Sequence, residues 1–411
     1  MSELPERWDP RKVALCSDKE KPFLLRPGQI LVGPGDAPDV AKVLTGWKPQ
    51  ERRTFGVTTF TRTPQNPADP AREVLDAIAK VRKATAGRPQ GPVRVAPNHV
   101  LVGEAGGAIT LTGEPRLQGG PGSSVRVAAP PKTMPLRTTR RGDGKGVRIA
   151  VLDTGLFTHP WLAAVQKATA SDDVWDVDHD EYADAESGHG TFIAGLILQV
   201  APAAEVYVVK VLDSNGVGDD STVAQAMEQL PQDVDLVNLS LGGYTMDDAA
   251  PLAISCALNA MRKQRNVVVA AAGNAGKSRP FWPAAFKQVV AAGAVDEKDG
   301  HWSKADFSNF GWWVDTAARG VNLQSTFNKG KSKAATGPKP DPADPWITFD
   351  GWAAWDGTSF SCPITAAMLA RAMSRNGFAT AAEALAHLLS TSPPAPQPDF
   401  PLAVLVDELQ P

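Results

Sequence analysis

The sequence predicts an α/β protein, with a large domain built on a mostly parallel sheet and a smaller α/β unit ahead of it. Three observations lead there. From residue 146 onward the short apolar runs VRIAVLD, VYVVKVLD, DLVNLSLG, NVVVAAAGN and VVAAGAVD follow one another, several dominated by valine, as in strands buried on both faces. Helix-like stretches at 190–198, 221–230 and 250–263 lie between them, and such alternation implies an open parallel sheet with functional groups at the carboxyl ends of its strands. Finally, 411 residues exceed one ordinary core, so a domain of roughly 250 residues plus a smaller one is expected.

Taken in order, residues 1–25 form a charged tail with no apolar core of signal-peptide length. A cytoplasmic location is therefore expected, with export by a route lacking a classical signal left open. Residues 26–105 read as the small α/β unit, with strand character at 29–32, 54–60 and 93–102 and helical spacing at 39–44 and 71–83. A linker rich in Gly, Pro and Arg spans 106–145, including GGPGSS and TTRRGDGKG. The large domain occupies 146–395, and within it 328–345, NKGKSKAATGPKPDPADP, reads as an exposed loop. Residues 396–411 are a C-terminal tail, and no internal repeat is evident.

Composition narrows the function classes. Hydrophobic residues make up 43% and charged residues 21%, as in folded soluble proteins. No window reaches the length of a membrane span, so a membrane partner is not expected. Cys16, Cys256 and Cys362 are too few and too scattered for a disulfide framework or a zinc cluster. The net charge of −3 hides an asymmetry: residues 1–145 hold 24 basic and 14 acidic side chains, the remainder 18 and 31. The two parts should attract each other. Nucleic acid is not expected as a partner, because the N-terminal cations are scattered and only Arg137 to Arg141 cluster.

The stretch DGTSFSCPITAAM places Ser359 where a polar run turns into an apolar, alanine-rich helix. Such a serine either caps the helix or is a nucleophile held where unpaired N–H groups favour developing negative charge. Nucleophilicity needs a base. Of six histidines, His189 in SGHGTFIAGLI stands apart, bracketed by glycines and opening a small-residue helix. Asp153 ends the apolar run VRIAVLD before a Thr-Gly turn, and by itself it could simply cap that turn. Cys362, three residues after Ser359, reads as a small buried residue rather than a thiol nucleophile.

AVLDTG, GHGTFIAG and DGTSFSCP together resemble the three catalytic signatures of the subtilisin-like serine proteases, in that family's chain order of Asp, His, Ser. The resemblance runs from 146 to about 390, through KVLDSNGVG, NLSLGG, AAAGNAG, FWPAAF and FSNFGWWVDTAARGVN. It implies a three-layer subtilisin-like fold and a serine endopeptidase working through an acyl-enzyme, in which Ser359 attacks, His189 carries the proton and Asp153 orients the imidazole. It further implies Asn274 as an oxyanion donor, and strand-like pairing of a protein or peptide substrate with Ser240, Leu241 and Gly242 on one side and Gly216, Val217 and Gly218 on the other.

The N-terminal unit is similar in layout to the propeptides of that family, which implies docking on the catalytic domain and self-processing between about 103 and 145. Phe192 and Arg319 depart from the family pattern, where a second histidine and a proline are usual. No cofactor is required by this chemistry. The acidic run at 172–186 raises calcium, which the family often binds, but Glu181 and Ser187 replace the glycine and final acid that an EF-hand loop needs. A solvated acidic loop favouring basic substrates is the preferred reading. A regulated or inactive peptide-binding protein, and a peptide ligase or cyclase using the same triad, remain alternatives.

Overall fold

The structure is a computed structural model, and it describes residues 9, 11–16, 21–66, 68–103, 125–130, 142–262, 266–298, 301–333, 341–392 and 403–404. The Arg137 to Arg141 cluster and most of the linker lie outside the described residues.

The central sheet takes its strands in the order Ala403–Val404, Thr316–Arg319, Val289–Lys298, Val267–Ala271, Leu236–Leu239, Arg148–Asp153, Glu205–Lys210 and Gln166–Lys167. Every pair along that path is parallel; His301–Lys304 adds an antiparallel edge to Val289–Lys298. Side chains alternate across it. Ile149 and Val151 face the core that contains helices His189–Val200 and Thr358–Asn376, whereas Ala150 and Leu152 face Asp220–Glu228 and Leu252–Met261. This two-sided burial is why the strands read as continuous apolar runs. It also fixes the site: Asp153 shares the parity of Ile149 and Val151 and so points to the face whose two helices open with His189 and Ser359.

Helix His189–Val200 is buried along its whole length, as GTFIAGLILQV demands when no face is polar. The helices expected at 39–44 and 71–83 run as Ala37–Val43 and Pro70–Thr85, the latter capped by Asp69.

One expectation fails. Of the exposed loop expected at 328–345, residues 328–333 instead belong to strand Leu323–Lys333, which pairs with Trp346–Trp355; residues 341–345 carry no strand, and 334–340 lie outside the described set. Lys329 and Lys331 are exposed, while Phe327, Ser332 and Phe349 are buried and Trp175 packs across Gly330. Polar residues alternating with buried ones masked the strand. Arg126–Val127 pairs with the same hairpin, and Arg126 holds Asp356 at 2.8 and 3.1 Å.

The N-terminal unit is an antiparallel sheet, Val95–Val102, Phe23–Val32, Val57–Thr61 and Lys48–Thr54, backed by Pro70–Thr85. Its strand Val95–Val102 continues into the large unit, pairing antiparallel with Val217–Asp219. Leu31, Val57 and Leu101 belong to the same apolar cluster as Leu212 and Leu241, so the two units share a core. Cations of the first meet acids of the second: Arg26 with Asp219 at 2.9 Å, Lys21 with Asp248 at 2.7 Å and Arg82 with Asp247 at 3.7 Å.

Candidate active site

Three adjacent parallel strands deliver Asp153, Ser240 and Asn274 at or just beyond their carboxyl ends, and the two helices supply His189 and Ser359. Asp153 Oδ1 lies 2.8 Å from His189 Nδ1 and also accepts the Thr154 backbone N–H at 2.8 Å. Both side chains are completely buried. Gly188, at φ 85°, turns the chain into the helix, and a Cβ on Gly190 would sit 2.2 Å from the Gly155 carbonyl oxygen. The glycines that bracket His189 are therefore steric requirements of the Asp–His approach. The imidazole is wedged edge-on against Trp355 and tilted on Phe360.

Burial opposes charging of His189, but the Asp153 carboxylate outweighs it, with Glu186 and Asp173 adding to the effect, so its pKa lies above the ordinary value. Among the described residues the acceptor nitrogen Nε2 has no hydrogen-bond partner. Ser359 is the second residue of its helix, and its hydroxyl donates to the Ser240 carbonyl at 3.4 Å. The Ser240 hydroxyl donates in turn to the Ser359 carbonyl at 2.7 Å and accepts from the Asn238 amide at 3.0 Å. Asn274 accepts from the backbone N–H and hydroxyl of Thr358 at 2.9 and 2.8 Å. Those two bonds fix its carbonyl end and turn the NH₂ end the other way, as an oxyanion donor needs. Burial pushes the Cys362 thiol far up, so it offers no thiolate.

Gly216, Val217, Gly218 and Gly242 converge on residues 100–103 of the N-terminal unit. Val102 exchanges both backbone hydrogen bonds with Gly242, at 2.7 and 2.9 Å, and Gly103 N–H donates to the Gly216 carbonyl at 2.8 Å. Leu241 takes part only in framing the slot, since its side chain points into the core. Asp153, His189 and Ser359 have no accessible surface and Asn274 only 1%.

Three residues in the site were not singled out from sequence. Asp173 accepts from the Thr154 hydroxyl and the Gly188 N–H, bracing both ends of the Asp–His pair, and burial pushes its pKa up to about 6. Glu186 places Oε2 3.9 Å from His189 Nε2. Thr358 orients Asn274. Asp173 and Glu186 were visible only as members of an acidic run. In that run Asp176, Asp178 and Asp184 bring carboxylate oxygens within 4.8 Å of one another, whereas Asp180 instead accepts the Tyr182 N–H.

The model of the Subtilase family matches residues 144–403. The chain belongs to the subtilase family, the subtilisin-like serine proteases. It is 36% identical over 204 residues to a thermostable alkaline protease of Halalkalibacterium halodurans, covering 47% of this subtilase and 53% of that protein. The subtilase thus spans about half of that relative's length. Thermitase of Thermoactinomyces vulgaris is 35% identical over 217 residues, 50% of this chain and 74% of thermitase. Among solved structures, fervidolysin of Fervidobacterium pennivorans, a keratinolytic enzyme related to subtilisin, superposes with a TM-score of 0.63 at 20% identity, covering 98% of this subtilase and 63% of fervidolysin. That likeness establishes the subtilisin-like fold. The kinship also overturns the expected cytoplasmic location, because the relatives are subtilisins and alkaline proteases, with which that location conflicts. The charged start of the chain, on which that expectation rested, does not decide the compartment.

Proposed function

We propose that this subtilase is a serine endopeptidase whose N-terminal unit is an inhibitory, self-processed propeptide. The observation that carries the reading is the backbone strand already seated in the slot, with Val102 paired to Gly242 and Gly103 to Gly216. A groove that holds a polypeptide as its middle strand is built for peptides. In that antiparallel register the residue two positions beyond the one facing Gly242 comes opposite Ser240, whose carbonyl oxygen is within 3.4 Å of the Ser359 hydroxyl.

At that residue's carbonyl carbon Ser359 Oγ forms the new bond while its proton passes to His189 Nε2. Asp153 stabilises the resulting imidazolium, and the oxyanion is received by the Asn274 amide and the Ser359 backbone N–H. Collapse expels the amine with the proton from His189, leaving an acyl-serine that water hydrolyses by the same steps. Glu104 follows Gly103 in the sequence and lies outside the described residues; by this register self-processing cuts the Glu104–Ala105 bond.

The test is intact mass of the purified protein with and without a fluorophosphonate probe, alongside Ser359→Ala. One adduct on the wild type only, together with a fragment beginning at Ala105, is the expected result. Full-length wild type that takes no adduct would overturn the reading.

A further inference from the structure

Glu186 is set into the slot beside the docked strand. Its backbone N–H donates to the Ser214 carbonyl at 2.9 Å, and its own carbonyl accepts the His189 N–H at 3.1 Å, which fixes its place. The side chain is 5% exposed. It lies where only glycine permits: a Cβ on Gly216, at φ 76°, would come 2.4 Å from Glu186 Cγ. The same carboxylate borders the position occupied by Gly103. A Cβ built there would stand 3.7 Å from both Glu186 Cγ and Oε2 and 3.1 Å from Leu212 Cδ1. A side chain at that position therefore grows between an apolar wall and a carboxylate shielded from water, where a cation is favoured and an anion is repelled.

We propose that Glu186 is a specificity-determining residue that selects lysine or arginine at the substrate position held by Gly103, one residue before the residue bearing the scissile carbonyl. The inference rests on the protease reading for its consequence in catalysis, while the pairing itself is independent of turnover. Leu212 packs the aliphatic stem of the incoming side chain and Glu186 takes its charged head. Gly103 itself puts no side chain into this subsite, so at that position the propeptide is held through its backbone, and a side chain there distinguishes a substrate from it. Among the three atoms nearest a Cβ built on Gly103 the one carboxylate oxygen is that of Glu186, whereas Asp180 accepts the Tyr182 N–H and Asp176 those of His179, Asp180 and Glu181.

Two measurements on the full chain test this. In a Ser359→Ala background, which cannot process itself, Gly103→Arg is compared with Gly103→Ala by thermal unfolding. Arginine should raise Tm relative to alanine, and the advantage should vanish when Glu186→Gln is added. Equal Tm values, or an advantage that survives Glu186→Gln, overturn the pairing whether or not the protein is a protease. In the active protein, three peptides differing only at this position are compared by kcat/KM. Arginine should exceed alanine and alanine exceed glutamate, by about 10-fold per step. Glu186→Gln should flatten the series, while Asp180→Asn should leave it intact. Flattening by Asp180→Asn to the same degree would assign the preference to the loop's general field and overturn the role of Glu186. Failure of all three peptides together with absence of a probe adduct would overturn the protease reading and the catalytic consequence with it.

Discussion

The site and the strand that covers it are held by opposite means. Asp153, His189, Asn274 and Ser359 are all buried and fixed by side-chain hydrogen bonds inside one unit: Asp153 to His189 and the Thr154 N–H, Asn274 to Thr358, and Ser359 to the Ser240 carbonyl. Residues 100–103 are held at the slot by backbone pairing with Val217–Asp219 and Gly242, and the rest of the N-terminal unit by ion pairs of Arg26 with Asp219 and Lys21 with Asp248. Chemistry is thus encoded in particular side chains, and access in a strand register that many sequences could adopt. The two should separate under mutation.

The largest effect falls on the chemistry. Asp153→Asn keeps the shape of the pair but removes the charge that favours the imidazolium, and a loss in kcat of about 10⁴-fold is expected. The full chain's Tm should move far less, because docking does not involve Asp153. A fall in the Tm of the unprocessed chain as large as that caused by Arg26→Ala would break the separation.

Access answers to Arg26. Its guanidinium sits 2.9 Å from Asp219 with 15% and 9% of the side chains exposed, and it overcomes burial to keep the Asp219 carboxyl below its usual range. Asp219 also caps the following helix through the Thr222 N–H. Arg26→Ala leaves a shielded carboxylate beside the slot without its cation, which is costly for the docked state alone. Fluorophosphonate labelling of the unprocessed chain should speed up by about 10- to 100-fold, with kcat of the processed enzyme unchanged. Unchanged labelling would mean that backbone pairing suffices without the ion pair.

The same contrast explains what could be read from sequence. Asp153, His189, Ser359 and Asn274 were legible because each must stand at a strand end or helix start beside glycines that allow close approach, and those constraints leave local motifs. The parallel sheet was legible because burial on both faces forces unbroken valine and alanine runs. Glu186 and Asp173 were not, since nothing local separates a carboxylate buried beside His189 from its solvated neighbours Asp178 and Asp180. The hairpin Leu323–Lys333 with Trp346–Trp355 was missed because its outward lysines and glycines resemble a loop until the buried Phe327 and Phe349 are set across from each other. Long-range pairing, such as Val102 with Gly242, has no signature in either segment alone.

The finest test of the docked state uses His99, on the strand that enters the slot. It is 2% exposed, packs against Phe23, and accepts the Met246 backbone N–H of the large unit at Nε2, 3.1 Å away. Burial pushes its pKa down to about 3. A depressed folded-state value makes the unfolded chain bind the proton first, so this contribution is intact above pH ~6.5 and is lost as pH falls toward 3, at up to about 1.4 kcal/mol per pH unit. Asp220 and Asp173, raised by burial to about 7 and about 6, work in the other sense. Their contribution is complete below the unfolded carboxylate value and is lost as pH rises through their folded pKa values. Absolute stability against pH therefore mixes both signs, and the difference between Ser359→Ala and Ser359→Ala with His99→Gln isolates one. Between pH 7 and 4 the histidine-containing chain should lose Tm relative to the glutamine chain, because glutamine can still accept from Met246 N–H and has no proton to take up. Parallel curves would show that folding does not depress the His99 pKa, and that the strand's hold on the slot does not depend on Nε2 accepting the Met246 N–H.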